Sequence, residues 1–301
     1  MAIKFGTDGW RAITAWDFTA DNVRACAQGV AQYLKGAGLA PRGLVVGYDT
    51  RFASEDFAVE VAQVAAGNGV PTLLTTQAAP TPVVSYNIVH HQAGGAAMIT
   101  ASHNPPQWNG FKYTPDYAGS ASQEVVDALE REIALALGHE IPSLPLSEAR
   151  ARGLVRDIEP AQPYLAHVGK LVDLAALKAG GPKVAVDAMH GAGAGYLPQL
   201  LNGLPSLTEL RSERNPSFPG MKQPEPVAHN LVPLSQHVVQ HRCDVGVALD
   251  GDADRLGVID EKGRFISTLE SFALLCLYLL ETRGLRGPLV KSITMTSMVY
   301  K

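Results

Sequence analysis

Two stretches set the reading of the fold: Ala96-Ala97-Met98-Ile99-Thr100 running into Ala101-Ser102-His103-Asn104-Pro105, and Val245-Gly246-Val247-Ala248-Leu249 running into Asp250-Gly251-Asp252-Ala253-Asp254-Arg255. Each is a short apolar run that breaks abruptly into a polar turn, the pattern of a buried strand delivering its loop to one end of a sheet. Around them the chain repeats one rhythm of apolar strand, Gly-rich or polar turn, and helix. That rhythm predicts an α/β protein of consecutive related domains, with mixed sheets flanked by helices.

Outward from these stretches the elements follow. Val23, Cys26, Ala27, Val30, Tyr33 and Leu34 recur at helical spacing, so a helix is expected over Asp21 to Leu34, capped by Thr19 or Asp21 and ended by Gly36 or Gly38. Leu44 to Tyr48 reads as a strand, Asp49-Thr50-Arg51 as its turn, and Ser54 as the cap of the next helix. Thr72-Leu73-Leu74 starts another unit, with Pro80-Thr81-Pro82 opening a helix that ends near His90-His91, where positive charge suits the helix dipole. Gly110 to Tyr113 reads as a strand returning after the Ser102 turn, and Glu124 to Leu137 as a helix.

Between Gly138 and Pro163 the chain is rich in Pro, Gly and charge, which marks a linker. A second unit carries the strand Lys183 to Val186, and Gly191-Ala-Gly-Ala-Gly195 behind it reads as a tight βα turn, its spacing missing the dinucleotide fingerprint. A third unit opens near Asp260, with a helix from Leu269 to Arg283 and a strand near Leu289 to Thr294. The expected domains are residues 1–150, 151–260 and 261–301, the last cut short inside a third domain. Strands ending at Asp49, Asp187 and Asp250 hint at distant duplication.

Composition limits the function. Of 301 residues 46% are hydrophobic and 18% charged, the profile of a well-cored globular protein. The 25 basic against 29 acidic residues leave a net charge of −4, without the broad positive field that nucleic-acid binding needs. The apolar run Phe272 to Leu280 is well short of the ~20 residues that span a bilayer, and the first residues lack a signal-peptide core, so a cytoplasmic protein without membrane or nucleic-acid partners is expected. Cys26, Cys243 and Cys276 are far apart and are expected to be small buried hydrophobes. Oligomeric state is left open.

Three loops can carry chemistry. Ser102 lies where open α/β sheets hold ligands, presented at an edge, with His103 next to it to act on the hydroxyl or orient a group attached to it. An ordinary Ser/Asn/Pro turn is the other reading of that loop. Asp250, Asp252 and Asp254 on alternate residues repel one another unless a cation sits between them, and an all-oxygen set favours Mg²⁺ or Ca²⁺. The alternatives are a solvated acidic turn and the aspartyl-nucleophile loop of a Mg²⁺-dependent phosphatase. Arg255 beside these acids suits phosphate recognition. The third loop, Phe5-Gly6-Thr7-Asp8-Gly9-Trp10-Arg11, is packed by its aromatic residues and offers Arg11 as a phosphate ligand, or is a surface turn.

Phe-Gly-Thr-Asp-Gly-Trp-Arg, Thr-Ala-Ser-His-Asn-Pro and Asp-Gly-Asp-Ala-Asp-Arg, in this order, resemble the α-D-phosphohexomutase family, most closely its bacterial phosphoglucomutase/phosphomannomutase branch. The resemblance implies a four-domain protein with its cleft where the domains meet, of which this chain covers two domains and the opening of the third. It implies that Ser102 is carried as a phosphoserine, and that Mg²⁺ is held by Asp250, Asp252, Asp254 and an oxygen of the Ser102 phosphate. It implies that Arg11 and Lys112 act near the transferred proton, with Lys112 the general base. His103 and Asn104 would support the phosphoserine, Arg255 and Lys291 would approach the substrate, and Arg51, in a turn with Asp49 near the cleft, would join Asn104, Arg255 and Lys291 in binding substrate or phosphate.

Phosphoryl transfer is mostly positioning plus cationic stabilisation, which suits these residue types. A lysine among cations would have its proton affinity lowered toward neutrality. The implied reaction interconverts hexose 1-phosphate and hexose 6-phosphate, glucose or mannose, through a hexose 1,6-bisphosphate, in a cleft that excludes water. The 301 residues are expected to turn over weakly or not at all by themselves, because the sugar-selecting and C-terminal phosphate-binding loops of the family lie beyond them. After Arg11 the chain reads Ala-Ile, where phosphoglucosamine mutases commonly read Ile-Arg-Gly, which leaves that branch and a sugar-phosphate phosphatase as the alternatives.

Overall fold

The computed structural model describes residues 3–6, 8–291, 295 and 297. Its first sheet holds β1 (Trp10–Ile13), β2 (Leu44–Tyr48), β3 (Thr72–Thr75), β4 (Gly95–Ile99), β5 (Trp108–Pro115) and β6 (Val155–Ile158), in the order β1-β5-β4-β2-β3-β6. β2 runs parallel to β3 and β4, β6 parallel to β3, and β5 antiparallel to both β4 and β1. The period of two along β2 sorts its side chains between two cores. Leu44 and Val46 pack with α1 (Ala20–Gly36), α2 (Ser54–Gly67) and α4 (Gln123–Ala136), while Val45 faces α3 (Thr81–His91).

The first helix starts as its sequence predicts, with the Thr19 side chain accepting from the Asn22 amide. The start of α2 differs. Ala53 holds the flanking position in a left-handed conformation, and Ser54 is the first helical residue, its hydroxyl donating to Asp49 Oδ1 at 2.8 Å. The Pro/Gly-rich stretch 138–163 is not a plain linker. It folds into α5 (Leu146–Ala151) and β6, and β6 closes the edge of the first sheet, pairing Thr72 with Val155. Composition missed this because a four-residue edge strand of sequence VRDI carries almost no apolar signal.

The second sheet follows α6 (Ala161–Leu171) and α7 (Leu174–Gly180), with α8 (Tyr196–Leu200) and α9 (Val232–His241) within its span. It holds β7 (Lys183–Asp187), β8 (Ser206–Leu210), β9 (Val245–Leu249), β10 (Leu256–Asp260) and β11 (Phe265–Ile266), ordered β11-β10-β9-β7-β8. Leu234 and Val238 of α9 cover Ala185, Ala248 and Ile259. Four strands of this sheet, β10-β9-β7-β8, repeat the order and directions of β5-β4-β2-β3. The two sheets thus share a four-strand topology in which β9 corresponds to β4, so the Asp250 turn is the counterpart of the Ser102 turn and Asp187 that of Asp49.

Beyond β11 the helix α10 (Thr268–Leu277) begins with a capping box between Ser267 and Glu270 and gives way to a π-helical turn at Tyr278–Thr282, so the expected helix to Arg283 is two pieces. Leu289 to Lys291 form no strand, and the rest of the strand expected there, Ser292 to Thr294, lies outside the described residues. Cys26 and Cys243 are buried as expected; Cys276 is only partly so. Among the described residues no helix is long and apolar enough to cross a membrane.

Candidate active site

The loops after β4 and β9 meet. Ser102 sits in a left-handed conformation (φ 51°), and its hydroxyl donates to Asp250 Oδ2 at 2.9 Å. A non-glycine residue held there costs free energy and persists only where its surroundings fix it. Here the surroundings are specific. The Ser102 amide donates to Thr100 Oγ1 at 2.8 Å, and its carbonyl accepts from Arg51 Nη2 at 2.6 Å. Ser102 is fully buried rather than presented at an edge, because the Asp250 turn lies directly on it. The contact needs glycine: a Cβ on Gly251 would stand 2.5 Å from the Ser102 carbonyl oxygen.

The acidic turn is fastened by its own backbone, Asp250 Oδ1 accepting from the amides of Asp254 and Arg255, both at 3.0 Å. Both oxygens of Asp250 thus accept hydrogen bonds, which fixes the orientation of the carboxylate. Thr81, at the start of α3, grips Asp252 twice, amide to carbonyl at 2.9 Å and hydroxyl to Oδ2 at 2.6 Å. Lys112 of β5 reaches Asp252 Oδ2 at 3.0 Å, Asp254 Oδ2 at 3.3 Å and Asp8 Oδ1 at 3.1 Å. Arg11 of β1 pairs with Asp8 and donates to Asn104 Oδ1 at 2.7 Å. The N-terminal turn is packed as expected, with the Phe5 and Phe111 rings 5.9 Å apart, edge to face. His103 Nδ1 lies 3.4 Å from Ser102 Oγ.

Arg51 has another place than the one expected. Its guanidinium is fully buried, 3.2 Å from Asp49 Oδ2, and donates to the carbonyls of Ser102, Asn104, Pro105 and Trp108 at 2.6–3.1 Å. It shapes the serine loop from behind and has no face left for a substrate phosphate. Arg255 keeps its guanidinium partly free, 3.7 Å from Glu225 and 3.9 Å from Asp254. Lys291 donates to the Met295 carbonyl at 3.4 Å, in the last segment of the chain. Asp8 and Thr81 are the residues that sequence reasoning passed over. Asp8 lay inside a quoted motif but signalled only a turn, and Thr81 resembled an ordinary helix start.

Charge crowding shows in the proton affinities. Burial first, then Asp252 and Asp254, push Asp250 up to about 8. Asp254 is raised by burial and by Asp252. Burial works upward on Asp252 too, but Lys112 and the hydroxyl of Thr81 outweigh it and hold that carboxylate below its usual range. For Lys112 burial favours the neutral amine, yet Asp252, Asp254 and Asp8 together raise its proton affinity, the reverse of the lowering expected for a lysine among cations. Burial, then Arg255, favours neutral imidazole at His103.

The carboxylates fit a hard divalent cation. Asp250, Asp252 and Asp254 each bring an oxygen within 4.8 Å of the others, and Asp252 Oδ1 is buried without any hydrogen-bond partner. An orphaned buried carboxylate oxygen in an all-oxygen cluster is what a cation of the Mg²⁺ or Ca²⁺ kind would satisfy.

Residues 2–136 match the family model for phosphoglucomutase/phosphomannomutase, alpha/beta/alpha domain I, and residues 162–263 match domain II. The chain belongs to the phosphoglucomutase/phosphomannomutase family. A phosphoglucomutase/phosphomannomutase of Thermococcus kodakarensis is 32% identical over 99% of the chain and 64% of its own length. A phosphoglucosamine mutase of an Arthrobacter species is 30% identical over the whole chain and 65% of its own length. A crystal structure from Thermus thermophilus that carries a phosphomannomutase name superposes with a TM-score of 0.88 at 33% identity, over 98% of this chain and 65% of that one. The chain thus spans slightly less than two thirds of each of these three relatives. Members of the family with both names stand at similar identity, so the family is fixed and the sugar is not.

Proposed function

We propose that this protein is a phosphohexose mutase that interconverts hexose 1-phosphate and hexose 6-phosphate, with glucose or mannose as the sugar, through a phosphorylated Ser102. The observation that carries this is the 2.9 Å bond from Ser102 Oγ to Asp250 Oδ2, which sets an esterifiable hydroxyl against a cation-binding trio. Mg²⁺ held by Asp250, Asp252 and Asp254, with Ser102 phosphate oxygen beside them, would offset charge on the transferring group.

The chain's own residues do the rest. The buried Arg51 and Asp49 hold the serine loop in shape, and Arg11 orients Asn104 beside it. Lys112 holds a proton within reach of the trio, as the group that exchanges it with a sugar hydroxyl. Arg255, Lys291 and His103 are proposed on the substrate and phosphate side, with hexose 1,6-bisphosphate as the intermediate that turns over in the cleft. Residues 1–150, 151–260 and 261–301 are the proposed domains, with the strand at 155–158 assigned to the first sheet.

The test is phosphoryl uptake. Incubation with glucose 1,6-bisphosphate and Mg²⁺ should add one phosphate that maps to Ser102 by peptide mass spectrometry, and Ser102→Ala should take up none. Coupled assays of the full-length protein with glucose, mannose and glucosamine 1-phosphates then rank the sugars. Absence of phosphate at Ser102, or undiminished release of inorganic phosphate from sugar phosphates by Ser102→Ala, would overturn the mutase reading.

A further inference from the structure

We propose that the Lys112 ammonium and the divalent cation are alternative occupants of the Asp252 and Asp254 carboxylates, so that cation binding drives Lys112 off this pair toward Asp8. The inference rests on the trio being a cation site. Nζ of Lys112 lies 3.0 Å from Asp252 Oδ2 and 3.3 Å from Asp254 Oδ2, on two of the three residues that form the cluster. It is a buried ammonium, 5% exposed, not a surface charge drifting past. Carboxylates crowded in a dry site need a compensating positive charge, and Lys112 supplies it. A doubly charged ion on the same two carboxylates, where Asp252 Oδ1 is buried without a hydrogen-bond partner, supplies more and repels a unit charge a few ångströms away.

The side chain has somewhere to go. Its third partner, Asp8 Oδ1 at 3.1 Å, is outside the trio and 61% exposed. Asp8 stays tethered through Arg11, and Asp8, Thr81, Lys112 and Asp254 all line one cavity of about 510 Å³. Lysine's four-carbon stem allows the swing; a fork bound to several partners would not.

The experiment is titration with Mn²⁺, which accepts the same oxygen ligands, following the free ion by electron paramagnetic resonance in the wild type, Lys112→Met and Asp8→Asn. Lys112→Met should bind Mn²⁺ about tenfold tighter, and Asp8→Asn about threefold weaker because the displaced ammonium loses its alternative partner. Mn²⁺ binding by Lys112→Met but not by the wild type overturns displacement, because the ammonium then holds the pair against the ion. Equal or weaker binding by Lys112→Met, with the wild type binding normally, overturns displacement and leaves the cation site standing; no binding by either overturns both. Circular dichroism checks that Lys112→Met is folded. Should it fail to fold, Asp8→Asn decides alone, unchanged or tighter binding overturning the proposal.

Discussion

Replacing Arg51 by methionine keeps the apolar stem and removes the guanidinium that ties the serine loop together. Four carbonyls, of Ser102, Asn104, Pro105 and Trp108, lose the guanidinium as donor, Pro105 keeping the Trp108 amide, and Asp49 loses its ion-pair partner, all in a part of the molecule where Arg51 itself has no exposed surface. Breaking one side of a buried pair costs roughly 3–5 kcal/mol, and each orphaned acceptor roughly 1–3 kcal/mol. These overlap, because a loosened loop readmits water and a carboxyl such as Asp49 can take up a proton, so the expected loss is about 4 kcal/mol rather than the sum. The loss should appear as a lower urea midpoint, with Trp108, where this loop enters β5, among the fluorescent reporters. Arg51→Lys keeps the charge without spanning four carbonyls and should fall between. A residue that merely bound substrate would leave stability within about 0.5 kcal/mol. A loss below about 1 kcal/mol in Arg51→Met would refute the assignment of Arg51 to the loop's interior.

Gly251→Ala places a Cβ 2.5 Å from the Ser102 carbonyl oxygen, so the two loops must separate; a loss of about 1–3 kcal/mol and reduced phosphate uptake at Ser102 are expected from denaturation and intact mass. Mg²⁺ should raise the melting temperature of the wild type, by about 2.7 kcal/mol of stability at a hundred times its dissociation constant, and Asp250→Asn should abolish the rise in a thermal-shift titration. Burial, then Glu55, pushes the Tyr48 hydroxyl from 10.0 to about 12 in the folded protein. The unfolded chain therefore releases this proton first, so the contribution is intact below pH 10 and is lost as pH rises toward 12. Tyr48→Phe should flatten that limb of the urea-midpoint profile.

The apolar runs ending at Tyr48 and Ile99 were readable as strands because their full burial leaves no room for polar side chains, and the run ending at Leu249, although only every second residue of it is buried, was readable from its unbroken apolar composition; each then breaks into a polar turn. Ser102, Asp250, Asp252 and Asp254 stood out since serine beside histidine and acids on alternate residues are chemically conspicuous. The role of Arg51 was not readable: only the folded loop shows four carbonyls turned toward one guanidinium. Nor was the strand at Val155–Ile158, whose place depends on the open edge of β3 rather than on its own sequence. The direction of the Lys112 shift failed for a similar reason. Neighbours in space, Asp8, Asp252 and Asp254, set it, and they are about 100 residues or more away in the chain.

The shared order β5-β4-β2-β3 and β10-β9-β7-β8 explains why two loops so different in chemistry meet. In each unit the first central strand ends in an aspartate whose Oδ1 accepts the amide two residues on, at 3.0 Å from Arg51 and from Met189, and whose carboxylate takes a guanidinium, Arg51 or Arg211. The scaffold is common, and the next strand carries the chemistry, since open sheets offer their ligand loops at the carboxyl ends of central strands. One copy presents a hydroxyl that can carry phosphate, the other carboxylates that can hold a cation. On the proposed mutase reading neither is a catalytic centre alone, because phosphoryl transfer needs the carrier and the charge compensation in one water-poor place. Ser102 with Asp250, Thr81 with Asp252, and Thr50 with the His190 carbonyl at 2.8 Å are therefore at once packing contacts between the two sheets and the assembly of the site. A perturbation that slides one sheet against the other should cost catalysis before it costs folding.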